Sequence, residues 1–112
     1  MTFSSRAEPL SISQLNLEAQ GLLEGSFPLI WLQGELSNFS RPASGHWYFS
    51  LKDSRAQING AMFRNRNRLL DFNPQNGQQV LIRAKVTLYV PRGNFQIVVE
   101  HMEPAGQGAL KA

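Results

Sequence analysis

The chain has 112 residues, 42% of them hydrophobic, which suffices for one domain with a modest core. The absence of cysteine excludes a disulfide framework, a thiolate metal site and a cysteine nucleophile. No apolar run approaches the roughly 18 residues of a membrane-spanning helix, and no secretory leader pattern follows Met1. We therefore expect a soluble, cytoplasmic protein that does not associate with membranes.

The net charge of +3 is unevenly distributed along the chain. Residues 41–92 hold nine of the eleven Lys and Arg residues but two of the eight Asp and Glu residues, a local net charge of +7. A basic segment of this kind attracts polyanions through electrostatic steering and counterion release. The alternative interpretation is an ordinary solvated surface on a basic protein.

The first predicted element is a short amphipathic helix over residues 13–25. Residues 1–9 before it lack periodicity and are expected to be flexible. Four apolar residues recur with the spacing of one helical stripe, namely Leu15, Ala19, Leu22 and Leu23. Ser13 suits the N-cap and Gly25 suits the C-terminal stop. We expect the apolar stripe to pack on the rest of the domain.

Hydrophobic alternation with a period of two then predicts five strands. They cover approximately residues 27–36, 46–52, 57–64, 80–89 and 95–102. A loop rich in Ser, Pro and Gly joins the first two strands, and Pro91–Asn94 forms a hairpin connection between the last two. A polar stretch with Leu69, Leu70 and Phe72 predicts a helical turn or loop between strands three and four.

A leading helix, three strands, a short insertion and two more strands match the five-stranded Greek-key barrel called the OB-fold. We therefore predict an all-β fold, in which an OB-fold domain with an N-terminal α-helix spans residues 10–104. Closure of the barrel would remove exposed strand edges. An SH3-like small barrel is the structural alternative. Residues 105–112 are expected to begin a linker in a longer protein.

Alternation within strands two and three predicts which side chains meet a ligand. Trp47, Phe49 and Leu51 are expected to fill the core with Ile58 and Met62, whereas Tyr48 and Phe63 face outward. In an OB-fold the ligand lies over these strands, between the loops that join strands one to two and four to five. Phe39, Ser44 and Asn94 are expected in those loops.

Outward aromatic rings beside cations are typical of single-stranded nucleic acid binding, because bases stack on rings while Arg and Lys contact phosphates. Tyr48 and Phe63 are predicted to stack bases, and Ser50 and Asn59 to add polar contacts. Recognition is expected to be largely independent of sequence. The predicted nucleic-acid-binding residues are Arg41, His46, Tyr48, Ser50, Lys52, Asn59, Phe63, Arg64, Arg66, Arg68 and Arg92.

The sequence predicts no catalytic residue, metal ligand or cofactor in this segment. Asp53 and Asp71 are far apart and each lies near arginines, so they form no carboxylate cluster. His46 and His101 fall on different strands without a visible carboxylate partner. The segment itself is therefore expected not to be an enzyme, and a nuclease site within it is the least supported alternative.

Three stretches of the chain strongly resemble the N-terminal domain of exodeoxyribonuclease VII large subunits. They are PLIWLQGELSNFSRPASGHWYFSLKD at 28–53, AMFR at 61–64 and VLIRAKVTLYVPRGNFQIVVEHMEPAGQGAL at 80–110. The resemblance runs from about Leu10 to the C-terminus, and its most specific part is Gly34 to Asp53. The family often carries a basic residue at the position of Asn59.

The resemblance implies an OB-fold module that binds single-stranded DNA and presents it to a nuclease domain of the same polypeptide. By the same resemblance, that catalytic domain is absent from this chain, and residues 105–112 begin the linker to it. It also implies a small subunit as partner in the full complex, and a hydrolase of single-stranded DNA in the bacterial cytoplasm. Two alternatives stay open at this point. One is an RNA-binding OB module, and the other is a protein-interaction module that docks through the N-terminal helix and Trp31.

Overall fold

A computed structural model describes residues 4–105. Its elements are α1 (Ile12–Ser26), β1 (Ile30–Ser40), β2 (Trp47–Lys52), β3 (Gln57–Met62), α2 (Arg64–Asn67), β4 (Gln79–Tyr89) and β5 (Asn94–Pro104). The strands form a closed barrel in the order β1-β2-β3-β5-β4, and β4 pairs back to β1. The β3–β5 pair is parallel and the other pairs are antiparallel. The predicted OB-fold barrel with an N-terminal helix is confirmed.

The interior of the barrel follows the predicted alternation. Phe49, Leu51 and Met62 are buried, while Trp47 and Ile58 are half-buried and pack against the same core. The remaining fully buried apolar side chains come mainly from the other three strands: Leu36, Val80, Ile82, Ala84, Ile97, Val99 and Met102. Gly60 is required beside Phe49, because a Cβ atom there would lie 2.6 Å from Phe49 Cε1.

The helix α1 begins earlier than predicted, because its N-cap is Ser11 and not Ser13. Ser11 Oγ accepts a hydrogen bond from the Gln14 backbone N–H at 3.1 Å, and Gln14 Oε1 accepts one from the Ser11 N–H at 2.7 Å. This reciprocal capping box satisfies two N–H groups at the helix start. At the other end the helix continues through Gly25 to Ser26.

The predicted apolar packing of α1 is wrong for part of its stripe. Leu15 and Leu22 are each 53% exposed, and of the leucines in the stripe only Leu23 packs against the core. Polar side chains attach the helix to the end of β4 instead. Asn16 Nδ2 donates to the Val90 carbonyl at 3.0 Å, and Gln20 Nε2 donates to the Leu88 carbonyl at 3.1 Å. Thr87 Oγ1 donates to Glu24 Oε2 at 2.6 Å.

The first strand is longer than predicted, since Ser37 to Ser40 belong to β1 and not to the following loop. Its register against β2 shifts between Ser37 and Ser40, where Asn38 has a φ of 51°. Asparagine tolerates this left-handed conformation better than most residues. The shift directs Phe39 toward the barrel, where its ring stacks on Phe49, so Phe39 does not face a ligand.

The third strand is shorter than predicted and the insertion begins sooner. β3 ends at Met62, Phe63 occupies the N-cap position of α2, and Arg64 and Arg66 lie within that single turn of helix. Residues 4–9 contain neither helix nor strand, and 1–3 and 106–112 of the predicted terminal segments lie outside the described residues. Between residues 4 and 105, no helix combines the length and apolarity needed to cross a membrane.

Candidate nucleic-acid interface

The outward side chains of β2, β3 and β5 form one continuous surface, which we call the open face. The strand registers place Ser50 beside Asn59, and Asn59 beside Gln96. In the next row, Tyr48 lies beside Ala61. These five side chains are all uncharged. Ser50 and Ala61 are nearly buried, so the centre of the open face presents the ring of Tyr48 and the amides of Asn59 and Gln96 to a ligand.

Three aromatic side chains meet in a cavity of about 320 Å³, which we call the aromatic pocket. It is lined by Tyr48, Ala61, Phe63, Tyr89 and Gln96. The rings of Tyr48, Phe63 and Tyr89 are 44%, 39% and 49% exposed, respectively. Large aromatic side chains exposed to this degree within one cavity are available for stacking. Tyr48 and Phe63 face outward, as predicted.

A second cavity of about 410 Å³, the amide cleft, adjoins the aromatic pocket through Tyr48 and Gln96. Its polar lining comes from Asn38, Ser50, Asn59 and Gln96. Ser50 is only 6% exposed, and Asn38 Nδ2 lies 3.4 Å from its Oγ. In the part of the chain that the structure describes, the side-chain amides of Asn59 and Gln96 form no hydrogen bond, so both are free to bind a ligand.

Cations lie at one end of the open face, in a cavity of about 390 Å³ that we call the arginine cleft. It is lined by Ser44, His46, Arg64, Asn65 and Arg68. The Arg64 backbone N–H donates to His46 Nδ1 at 3.0 Å, and the His46 ring packs edge-on against Phe63 at 5.2 Å. Phe63 therefore connects the arginine cleft to the aromatic pocket.

The loop between β1 and β2 is fixed against α2, which holds the arginine cleft in shape. The buried Asn67 donates through Nδ2 to the Gly45 carbonyl at 2.8 Å and to the Met62 carbonyl at 3.1 Å. Arg64 and Arg68 form no ion pair among residues 4–105. Two unpaired guanidinium groups on a supported turn suit the binding of phosphate oxygens.

Arg41 is held by contacts within the protein. Its guanidinium group lies 4.3 Å from the ring centre of Phe39 and 5.1 Å from that of Trp47. Its Nη2 donates to Asn73 Oδ1 at 2.8 Å and to the Pro74 carbonyl at 2.6 Å. These contacts tie the end of β1 to the segment before β4.

The structure places the other predicted cations away from the aromatic pocket or beside carboxylates. Lys52 lies about 13 Å along β2 from Tyr48, and its Nζ is 3.7 Å from Glu35 Oε2. Arg66 Nη2 is 3.6 Å from Glu100 Oε1. Arg92 is exposed in the turn between β4 and β5. These three side chains do not join Arg64 and Arg68 in one cluster.

The turn between β2 and β3 is organised by Asp53 at the end of β2 farthest from the aromatic pocket. Its Oδ1 accepts hydrogen bonds from the backbone N–H groups of Arg55 at 2.8 Å and Ala56 at 2.9 Å. These two bonds stabilise the carboxylate and lower the pKa of Asp53 below its ordinary value. Asp53 therefore carries its negative charge as part of the turn.

Sequence reasoning missed Tyr89 and Gln96 as candidate site residues. Alternation along β4 sets Tyr89 on the side opposite to the buried Val86, and alternation along β5 sets Gln96 on the side opposite to the buried Ile97. The missing information was the parallel pairing of β3 with β5, which brings Gln96 beside Asn59. An OB-fold strand order, which sets strand five beside strand three, was the available signal for Gln96, and the hairpin between strands four and five was the signal for Tyr89.

Comparison with known proteins agrees with this fold. Residues 10–103 match the family model described as an OB-fold nucleic acid binding domain. The chain is 92% identical over its whole length to the exodeoxyribonuclease 7 large subunit of Alcanivorax borkumensis, of which it covers 25%. It is 62% identical, over 90% of its length, to the same subunit of Thioalkalivibrio sulfidiphilus, of which it covers 23%. The chain thus spans about a quarter of these relatives.

Solved structures show the same fold at low sequence identity. A chain of a replication protein A heterotrimer bound to single-stranded DNA matches 73% of this chain and 61% of its own length, with a TM-score of 0.57 and 19% identity. The second OB-fold domain of replication protein A from Methanococcus maripaludis matches 88% and 95%, with a TM-score of 0.53 and 17% identity. With its family-model match and its close relatives, the chain belongs to the OB-fold nucleic acid binding domain family, in the form found in exodeoxyribonuclease VII large subunits.

Proposed function

We propose that this domain binds single-stranded DNA across the open face. The observation that carries the proposal is the contact between the aromatic pocket and the arginine cleft through Phe63. Bases stacking on Tyr48 and Phe63 would leave the sugar–phosphate backbone running toward Arg64 and Arg68. Stacking platforms beside cationic grooves are the usual arrangement in proteins that bind single strands.

The geometry favours a single strand over a duplex. The aromatic rings are exposed within a concave surface, and a base reaches them only when its own faces are unstacked. A duplex buries those faces, whereas a single strand exposes them at little energetic cost. The uncharged centre of the open face also gives little attraction for the dense phosphate array of a duplex.

The remaining predicted residues take secondary roles in this proposal. His46 would orient the arginine cleft through its bond to the Arg64 N–H, and Ser50 and Asn59 would add polar contacts. Because Arg41, Lys52 and Arg66 already contact protein groups, they would contribute less per residue than Arg64. Arg92 would contact the strand where it leaves the barrel.

The family supports a larger context for this activity. In a full-length large subunit, the domain would hold DNA for a nuclease domain of the same polypeptide, in a complex with the small subunit in the bacterial cytoplasm. The free rings and unpaired arginines favour nucleic acid over the protein-interaction alternative.

The test is an anisotropy titration of the domain with labelled oligo-dT, oligo-rU and a DNA duplex of equal length, at several salt concentrations. We expect oligo-dT to bind more tightly than the duplex. The logarithm of the affinity should fall linearly with that of the salt concentration, by about 0.7 per neutralised phosphate. Equal or tighter duplex binding, or no binding of oligo-dT at low salt, would overturn the proposal. Tighter binding of oligo-rU would favour the RNA alternative.

A further inference from the structure

We infer that Tyr89 and Gln96 complete a subsite for one unstacked nucleobase, enclosed by Tyr48 and Phe63 on the other sides. This inference rests on the proposed function and adds two binding residues from β4 and β5. It assigns the aromatic pocket a single occupant, a base rotated out of the stack of a bound single strand.

The strand pairing explains how Tyr89 reaches this position. Tyr89 is the last residue of β4, and its direct partner across the hairpin is Asn94. Because Thr87 pairs with Gln96, Tyr89 is the diagonal neighbour of Gln96 on the same side of the sheet. Its side chain therefore lines the aromatic pocket together with the rings from the β2–β3 side.

The chemistry of Gln96 points to a ligand. This side chain is half-buried, lines both the aromatic pocket and the amide cleft, and forms no hydrogen bond within the described range 4–105. Its amide is therefore left to pair with water or with a ligand that enters these two cavities. A glutamine amide presents a donor and an acceptor in one plane, which matches the edge of a base.

The subsite should contribute affinity that does not depend on salt. Its lining consists of three aromatic rings, one methyl group and one amide, all uncharged. Salt dependence arises from neutralised phosphates and not from stacking or neutral hydrogen bonds. Loss of Tyr89 should therefore lower the affinity without changing its salt slope.

The test combines variants of the domain with oligo-dT strands that carry one abasic site at successive positions. We expect Tyr89→Ala to lower the affinity for intact oligo-dT by at least about fivefold. This factor corresponds to the lower end of the energy range for stacking of a base on an aromatic ring. One abasic position should weaken wild-type binding by a similar factor yet have little further effect on Tyr89→Ala. Such non-additivity shows that the ring and the base interact.

Matched variants separate the subsite from general effects on the hairpin. Phe95 is 50% exposed, close to the 49% of Tyr89. Its side chain lies on the opposite face of β5 from Gln96 and lines a different cavity. Phe95→Ala should therefore bind like the wild type, and Tyr89→Phe should retain most of the affinity because it keeps the ring. Gln96→Ala should show the same non-additivity at the same abasic position as Tyr89→Ala.

The possible failures are distinguishable. Suppose that wild-type protein binds oligo-dT, but the losses of affinity from Tyr89→Ala and from every abasic position are additive. The inferred subsite is then wrong, and the proposed function stands. If wild-type protein does not bind oligo-dT, both fall. A reduced salt slope in Tyr89→Ala would also contradict the inference, because it would assign Tyr89 to the phosphate path.

Discussion

Two outer surfaces of one barrel use the same kinds of side chain in opposite ways. Under α1, the amides of Asn16 and Gln20 donate to strand carbonyl groups. On the open face, the amides of Asn59 and Gln96 have no hydrogen-bond partner in the described part of the chain. The difference shows that a polar residue on a strand or helix acquires its role from what the fold places opposite it, which its own position in the sequence does not reveal.

The largest expected effect is on DNA affinity, from Tyr48→Ala on the open face. Loss of one stacking ring should weaken oligo-dT binding by about 1–3 kcal/mol, because base–aromatic stacking is of that size. Since Tyr48 is 44% exposed, the free energy of unfolding should fall by only about 1 kcal/mol, through lost strand propensity and partial burial. Fluorescence titration and urea denaturation measure the two quantities.

Trp31 provides the matched control for Tyr48. It is 53% exposed on β1, and its ring packs edge-on against His101 outside the open face. Trp31→Ala should therefore leave oligo-dT affinity unchanged. If Trp31→Ala weakened binding as much as Tyr48→Ala, the DNA path would lie elsewhere on the barrel.

On the covered surface the expected effect is on stability. Gln20→Ala removes the hydrogen bond to the Leu88 carbonyl and should lower the free energy of unfolding by about 1 kcal/mol. Leu17→Ala, at an exposed position of the same helix, should have a smaller effect on unfolding. Both variants should bind oligo-dT like the wild type. Weakened binding by Gln20→Ala would contradict the separation between the surface covered by α1 and the DNA-binding open face.

Among the cations, those of the arginine cleft should control the salt dependence. Arg64→Ala and Arg68→Ala should each reduce the slope of log affinity against log salt by about 0.7, the value for one phosphate of a single strand. Arg55→Ala, in the turn at the far end of β2, should leave the slope unchanged. Titrations at four or more salt concentrations distinguish these outcomes. Equal slopes for all variants would show that the arginine cleft does not contact phosphates.

The smallest expected effect concerns acid stability and the turn at Asp53. Because the folded state lowers the pKa of Asp53, its contribution to stability is present above the ordinary aspartate pKa and is lost as the pH falls through the lowered value. Asp53→Asn should therefore reduce the free energy of unfolding at neutral pH, with the difference from wild type shrinking in strong acid. Urea denaturation across this range checks the sign, and an increasing difference in acid would contradict it.

The sequence predicted the part of the fold that depends on alternation and turns. The period of two along Trp47 to Lys52 was enough to separate core from open face, because each residue of a strand faces the side opposite to its neighbours. It was not enough for Phe39, since the irregularity at Asn38 changes which side the next ring faces. A register shift of this kind depends on pairing with β2.

The candidate site was predictable only where it depends on one hairpin. Tyr48 lies on β2 and Phe63 directly follows β3, so the β2–β3 hairpin brings them together. Tyr89 and Gln96 join them through barrel closure, which pairs β3 with a strand more than thirty residues later. Likewise, Arg41 was predicted to contact phosphate from its charge and its place in the loop. Its position over Phe39 and its hydrogen bonds to Asn73 and Pro74 depend on the tertiary fold.

The side-chain amides themselves test the central claim most directly, because both surfaces carry two of them. Titration of isotope-labelled protein with oligo-dT, followed by NMR, observes the NH₂ signals of Asn59 and Gln96 and those of Asn16 and Gln20 together. We predict that the first pair shifts with increasing DNA while the second pair remains in place. Shifts confined to Asn16 and Gln20, with Asn59 and Gln96 unaffected at saturation, would contradict the assignment of the open face as the DNA-binding surface.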